Sequence, residues 1–118
     1  MSINRVIVTG NITRDPEKHK AGDTPVISFG VAVNEWRKAG EFTHFFDVDV
    51  FGKRAQGLAD ILHKGMRVTI EGKLRYQQWT SEGQKRSKVS IIADNVEFMS
   101  PKRAADASES GETEETPW

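Results

Sequence analysis

Cysteine is absent from the 118 residues. Its absence excludes disulfides, thiol nucleophiles, cysteine-held zinc and cysteine-ligated iron–sulfur clusters. Long apolar runs are also missing, and none approaches the roughly 20 residues that a membrane-spanning helix requires. The first residues, Met1-Ser2-Ile3-Asn4-Arg5, lack the apolar stretch of a secretory leader. A small domain without covalent staples is expected in a reducing, cytoplasmic setting. Histidines number three, and none forms a His-x-x-x-His pair. No Gly-rich phosphate loop is present either, so neither a zinc hydrolase motif nor a nucleotide-binding motif can be read.

An excess of one charge is missing too, since 17 Lys and Arg balance 17 Asp and Glu. The balance hides a separation. All the cations lie between Arg5 and Arg103, together with 12 of the acids, so this body carries +5. The other five acids, Asp106, Glu109, Glu112, Glu114 and Glu115, lie beyond it. A basic body is able to attract a polyanion, and an acidic tail suits a basic partner.

Composition shifts near Ser100-Pro101. From Ala104 to Thr116 the only apolar residue type is Ala. Such a stretch cannot bury enough surface to offset its ordering entropy, and it reads as disordered. The expected organisation is a folded domain over residues 1–100 and an acidic tail over residues 101–118, ending in Pro117-Trp118.

The body reads as β-structure. A β-branched segment runs from Ile3 to Thr13, interrupted by Gly10, where a bulge or sharp bend is expected. After Asp15-Pro16-Glu17 a polar loop leads to Thr24-Pro25. Residues Val26 to Trp36 alternate, with Ile27, Phe29, Val31 and Val33 on one face. Residues 38–41 form a turn of hairpin length. Thr43 to Phe51 alternate again, with Phe46, Val48 and Val50 on the apolar face. Ala55, Leu58, Ala59 and Leu62 then recur at helical spacing, so Lys53 to Lys64 is a short helix stopped by Gly65. Met66 to Tyr76 and Ser87 to Phe98 supply two further strands around a turn at residues 81–84. Five strands with one helix between the third and fourth are the layout of an OB-fold, a small Greek-key barrel. The expected class is all-β with one short helix and a disordered acidic tail. An SH3-like barrel and an α+β roll are the alternatives.

Parity assigns each aromatic a side of its strand. Phe29 and Phe46 fall on the core face. Trp36, Phe45, Phe51 and Trp79 fall on the opposite faces, in company with cations. The plainer account of any one of them is ordinary packing or a subunit contact. Four on one side point instead to single-stranded nucleic acid, because each base offers a face to stack and each phosphate needs a cation. Arg37, Lys38, Lys53, Arg54, Lys73 and Arg75 are candidate phosphate contacts, as are Lys85, Arg86 and Lys88. Asp47 and Asp49 share the face of Phe45 and Phe51 and oppose this reading. Two roles are open to them: pairing with nearby cations, or lying where only bases pass.

These segments resemble the bacterial and phage single-stranded DNA-binding proteins. The likeness rests on residues 4–11 (Asn4-Arg5-Val6-Ile7-Val8-Thr9-Gly10-Asn11), on Asp15-Pro16-Glu17 and on the Trp36 hairpin. It continues through Phe51-Gly52-Lys53, Lys64-Gly65 and Glu71-Gly72-Lys73-Leu74-Arg75 to Trp79. In family order these cover roughly residues 3 to 98. The resemblance implies an OB-fold, a homotetramer, and binding of single-stranded DNA with little sequence preference in replication, recombination and repair. It places the stacking aromatics at Trp36, Phe45, Phe51 and Trp79. It places basic contacts at Arg5, Lys53, Lys64, Lys73 and Arg75. It also implies that Glu114, Glu115, Pro117 and Trp118 dock replication and repair proteins. No cofactor or metal is implied, and the expected location is the cytoplasm, at the nucleoid or in a phage host.

Other functions compete. His44, Asp47 and Asp49 offer a candidate cluster for a metal-dependent nuclease, but strand parity turns His44 away from both acids. An RNA-binding or primosomal module of the same fold stacks bases equally well. A protein assembly factor would place the aromatics at subunit contacts. A non-enzymatic single-strand binder is the expected function.

Overall fold

The computed structural model describes residues 1–98. Strands β1 (Val6–Ile12), β2 (Glu17–Ala21), β3 (Thr24–Arg37) and β4 (Gly40–Phe51) precede helix α1 (Lys53–Ile61). Strands β5 (Arg67–Ser81) and β6 (Gln84–Phe98) follow it. The sheet order is β1-β5-β6-β4-β3-β2, and an added β1–β3 pairing closes β1, β5, β6, β4 and β3 into a barrel. The expected five-stranded OB-fold with one helix in the third connection is therefore present. Residues Glu17 to Ala21, read from sequence as polar loop, form an additional short strand on the outer edge of β3. All five of its residues are exposed, so no apolar periodicity marked it.

The core follows the apolar parity. Ile27, Phe29 and Val31 of β3 meet Val48 and Val50 of β4, with Val68, Ile70 and Ile91 from the other side. α1 plugs the barrel with Ala55, which is fully buried, and with the partly buried Leu58 and Ala59. The helix stops three residues short of the expected Lys64. Leu62 caps it in an extended conformation, with its N–H still donating to Leu58 O, and enters the core at 3% exposure. Gly65, with φ +92°, instead makes the turn into β5, and its N–H donates to Ile12 O at 2.7 Å.

Closure requires backbones to approach. Next to Gly10, Asn11 pairs with both β5 (Asn11↔Arg67) and β3 (Asn11↔Ala32), and a Cβ at Gly10 would strike the Ala32 carbonyl oxygen. Gly10 thus marks the crossing, and the irregularity in strand register lies elsewhere, between Glu71 and Gly72 in β5. A Cβ at Gly72 would strike the Ile92 carbonyl oxygen. The extra residue there is Asp94 of β6, left between the pairs Glu71↔Asn95 and Gly72↔Ala93, and such a bulge bends its strand.

Candidate nucleic-acid interface

The β3–β4 hairpin presents two faces with different chemistry. Its register sets Ala32 opposite Phe45, Gly30 opposite Asp47 and Ser28 opposite Asp49. Directly opposed residues point to the same side of a sheet. The outer face therefore carries Trp36, Phe45, Asp47, Asp49 and Phe51 beside a row of small residues. With only Ala32 across from it, the Phe45 ring is 72% exposed. Trp36, near the hairpin tip, is 76% exposed. Phe51 is half-buried, and the Arg75 guanidinium stands over its ring, 5.6 Å from the centroid.

The β5–β6 hairpin joins this face. Arg75 stands opposite Ser90, Gln77 opposite Lys88 and Trp79 opposite Arg86. Parity then puts Lys73, Arg75, Trp79, Arg86 and Lys88 on one side. Two contacts tie that side to β4. The Arg75 Nη2–H donates to Asp49 Oδ2 at 2.7 Å, and Lys88 Nζ lies 3.6 Å from Asp47 Oδ2. Trp79 is 44% exposed. All four sequence-nominated aromatics are thus surface residues on one side of the barrel.

The two acids resolve in favour of pairing. Asp49 accepts from Arg75 and, at 2.6 Å, from Ser28 Oγ–H. The single Ser28 proton is then spent, so His19 Nε2, 3.2 Å from Ser28 Oγ, is the donor in that contact. Asp47 lies between Lys88 and Arg14, the latter 3.6 Å away. Arg14 was not nominated from sequence. It reaches the face because Gly30 leaves room: a Cβ at 30 would lie 2.7 Å from Arg14 Nη1.

Several nominated cations stand elsewhere. Lys85 opposes Thr80 on the other side of the β5–β6 hairpin, with Tyr76 and Val89. Arg37 opposes Gly40 on the inner face of the β3–β4 hairpin, pairs with Glu35 at 3.2 Å, and stacks 4.6 Å over Phe42. Arg5 is held by Glu71 at 2.8 Å and Asp94 at 3.3 Å. Lys64 lies in the turn after α1, where its backbone N–H donates to Asp15 Oδ1 at 2.8 Å. Lys53 opens α1 two residues past Phe51 and is exposed.

His44 points away from Asp47 and Asp49, as parity requires, and its Nε2 is 2.8 Å from Glu35 Oε1. The hydrogen bond from His44, with that from Arg37 second, holds the Glu35 carboxyl below its ordinary range. Among the described residues no three His, Asp or Glu side chains gather as a metal site. No helix among them is long and apolar enough to cross a membrane. A groove of about 480 Å³ lies between β2 and α1, floored by Val26, Ile27 and Ala55, apart from the aromatic side. Glu114, Glu115, Pro117 and Trp118 lie outside the described residues.

An OB-fold barrel with one open face of aromatics and paired cations defines a protein of the oligomer-binding class. Within that class the chain belongs to the single-strand binding protein family, which residues 3–99 match. A single-stranded DNA-binding protein of Aquifex aeolicus is 40% identical, over 98% of this chain and 82% of its own length. That of Thermotoga maritima is 35% identical, over 97% and 86%. That of Treponema pallidum is 39% identical over 82% of this chain, which spans 58% of the relative. The small single-stranded DNA-binding protein from Streptomyces coelicolor superposes with a TM-score of 0.67 at 25% identity, covering 84% of this chain and 96% of that one. The Plasmodium falciparum SSB in complex with ssDNA shares the fold, with a TM-score of 0.76 at 22% identity and the same coverage.

Proposed function

We propose that this chain binds single-stranded DNA with little sequence preference and performs no catalysis. The carrying observation is the single outer face on which Trp36, Phe45, Phe51 and Trp79 alternate with Arg75, Arg86, Lys73 and Lys88. Bases stack on the rings and phosphates meet the cations. A duplex keeps its base faces inside the stack, so it forfeits the aromatic contribution and binds more weakly. The names of the relatives support the same ligand.

The chain works as a homo-oligomer, a tetramer by family resemblance. β1 supports this, because it pairs with β3 only at Asn11 and Ile12 and leaves Ile7 64% exposed. An open, apolar strand edge favours pairing with another copy. The domain of residues 1–100 protects single strands in the cytoplasm during replication, recombination and repair. The tail, residues 101–118, recruits partner proteins through Glu114, Glu115, Pro117 and Trp118.

The test is a fluorescence titration with oligo-dT beside the same length of duplex. Tryptophan quenching and tight binding should appear with the single strand, and affinity should fall by about 0.7 log units per log unit of salt for each phosphate neutralised. Equal affinity for the duplex, or none for oligo-dT, refutes the proposal.

A further inference from the structure

The two acids on the aromatic face are held differently. Asp49 is a fixed part of the fold: its side chain is 15% exposed and takes hydrogen bonds from Ser28 and Arg75. Asp47 is loosely held. Its oxygens face Arg14 Nη2 and Lys88 Nζ, each at 3.6 Å, beyond a good hydrogen bond. Asp47, Arg14 and Lys88 side chains are 42%, 46% and 45% exposed. Exposed ion pairs of this kind are weak, typically below about 1 kcal/mol.

We propose that Asp47 is an internal stand-in for phosphate. In the free protein it draws Arg14 and Lys88 to one spot on the aromatic face. A backbone phosphate of bound DNA then takes its place between them. This rests on the single-strand binding function proposed above. The geometry favours exchange: one carboxylate sits between two cations from different segments, one following β1 and one on β6. A backbone phosphodiester presents two non-bridging oxygens, as the carboxylate does, and is free to approach the two exposed cations more closely than the 3.6 Å that the Asp47 side chain reaches. Gly30 is the slot that lets Arg14 cross β3 to reach this spot. Asp47 therefore positions the two cations and, by occupying them, limits affinity. Its removal should leave both cations free in the unbound protein, so that DNA no longer has to displace a carboxylate to reach them.

The experiment compares Asp47→Asn with Asp60→Asn in oligo-dT titrations at several salt concentrations. Asp60 pairs with Lys18 at 3.7 Å between β2 and α1, so its substitution changes the net charge equally but away from the face. Asp47→Asn should tighten binding about two- to fivefold at low salt, the equivalent of one or two exposed pairs. The dependence of log affinity on log salt should stay close to that of the wild type, because the same phosphate lies between Arg14 and Lys88 in both complexes. Asp60→Asn should leave the affinity nearly unchanged. Adding Arg14→Gln and Lys88→Gln to Asp47→Asn should erase the gain. No gain in Asp47→Asn overturns the proposal, as does a gain that survives loss of both cations. Failure of the wild-type chain to bind oligo-dT refutes the underlying function instead.

Discussion

Phe45→Ala separates a binding role from a structural one. The ring is 72% exposed, so little more than a quarter of its surface is covered in the fold. Full burial of a Phe side chain is worth roughly 1.5–3 kcal/mol, so truncation at this site should cost under about 1 kcal/mol of stability. For a domain of this size that lowers the melting midpoint by at most about 4–8 °C. Phe29, fully buried in the same sheet, supplies the contrast: its truncation should cost about 3–5 kcal/mol. Loss of one stacking platform should instead weaken oligo-dT binding by about 1–3 kcal/mol, roughly 5- to 150-fold in Kd. Phe45→Trp should keep the affinity. Differential scanning calorimetry and fluorescence titration on the same preparations measure both quantities. A midpoint that falls as far as that of Phe29→Ala, with affinity intact, would refute the reasoning and make Phe45 a packing or subunit residue.

Neighbouring cations should behave oppositely. Arg86→Ala should weaken oligo-dT and oligo-dC alike and reduce the salt slope by about 0.7, whereas Lys85→Ala, on the reverse side, should change neither in the same titrations. Gly72→Ala forces a Cβ against the Ile92 carbonyl and should destabilise by about 1–3 kcal/mol, read as a lower urea midpoint at unchanged m. The Glu35 carboxyl, held low by His44, contributes stability above the ordinary glutamate range and loses it as pH falls through its lowered value. An NMR titration should show that low midpoint, and His44→Ala should move it upward. A Glu35 midpoint unaffected by His44→Ala would leave Arg37 as its principal partner.

Strand alternation made much of this protein legible without coordinates. Side-chain direction in a strand has a period of two, a local property that needs no knowledge of neighbouring strands. Hence Phe29, Val31, Val48 and Val50 could be placed inside, and Trp36, Phe45 and Trp79 outside, from their positions alone. Ala55, Leu58 and Leu62 likewise marked one helix by spacing. Local periodicity failed where the signal was weak or where a distant strand intervened. β2 carries five exposed residues, and its hydrogen bonds to β3 form it without an apolar pattern. α1 ends at Ile61 and Leu62 reaches the core from an extended backbone, a difference that helical spacing does not register.

The charges depended on tertiary structure most of all. Arg14 and Lys88 are 74 residues apart and meet at Asp47 only because barrel closure brings the end of β1 across Gly30 toward β4, while β6 lies alongside. Arg37 and Lys85 were grouped with Arg75 and Arg86 as basic residues, although alternation alone already turns Arg37 away from the Trp36 side and Lys85 away from the Arg86 side. Arg5 is engaged by Glu71 and Asp94, 66 and 89 positions distant. The physical reason is reach and direction. An aromatic's side is set by its own backbone, whereas an ion pair is set by which long, flexible side chains the closed barrel brings together. The sequence by itself determined the barrel and its aromatic face, and the tertiary structure decided which cations on that face are already engaged.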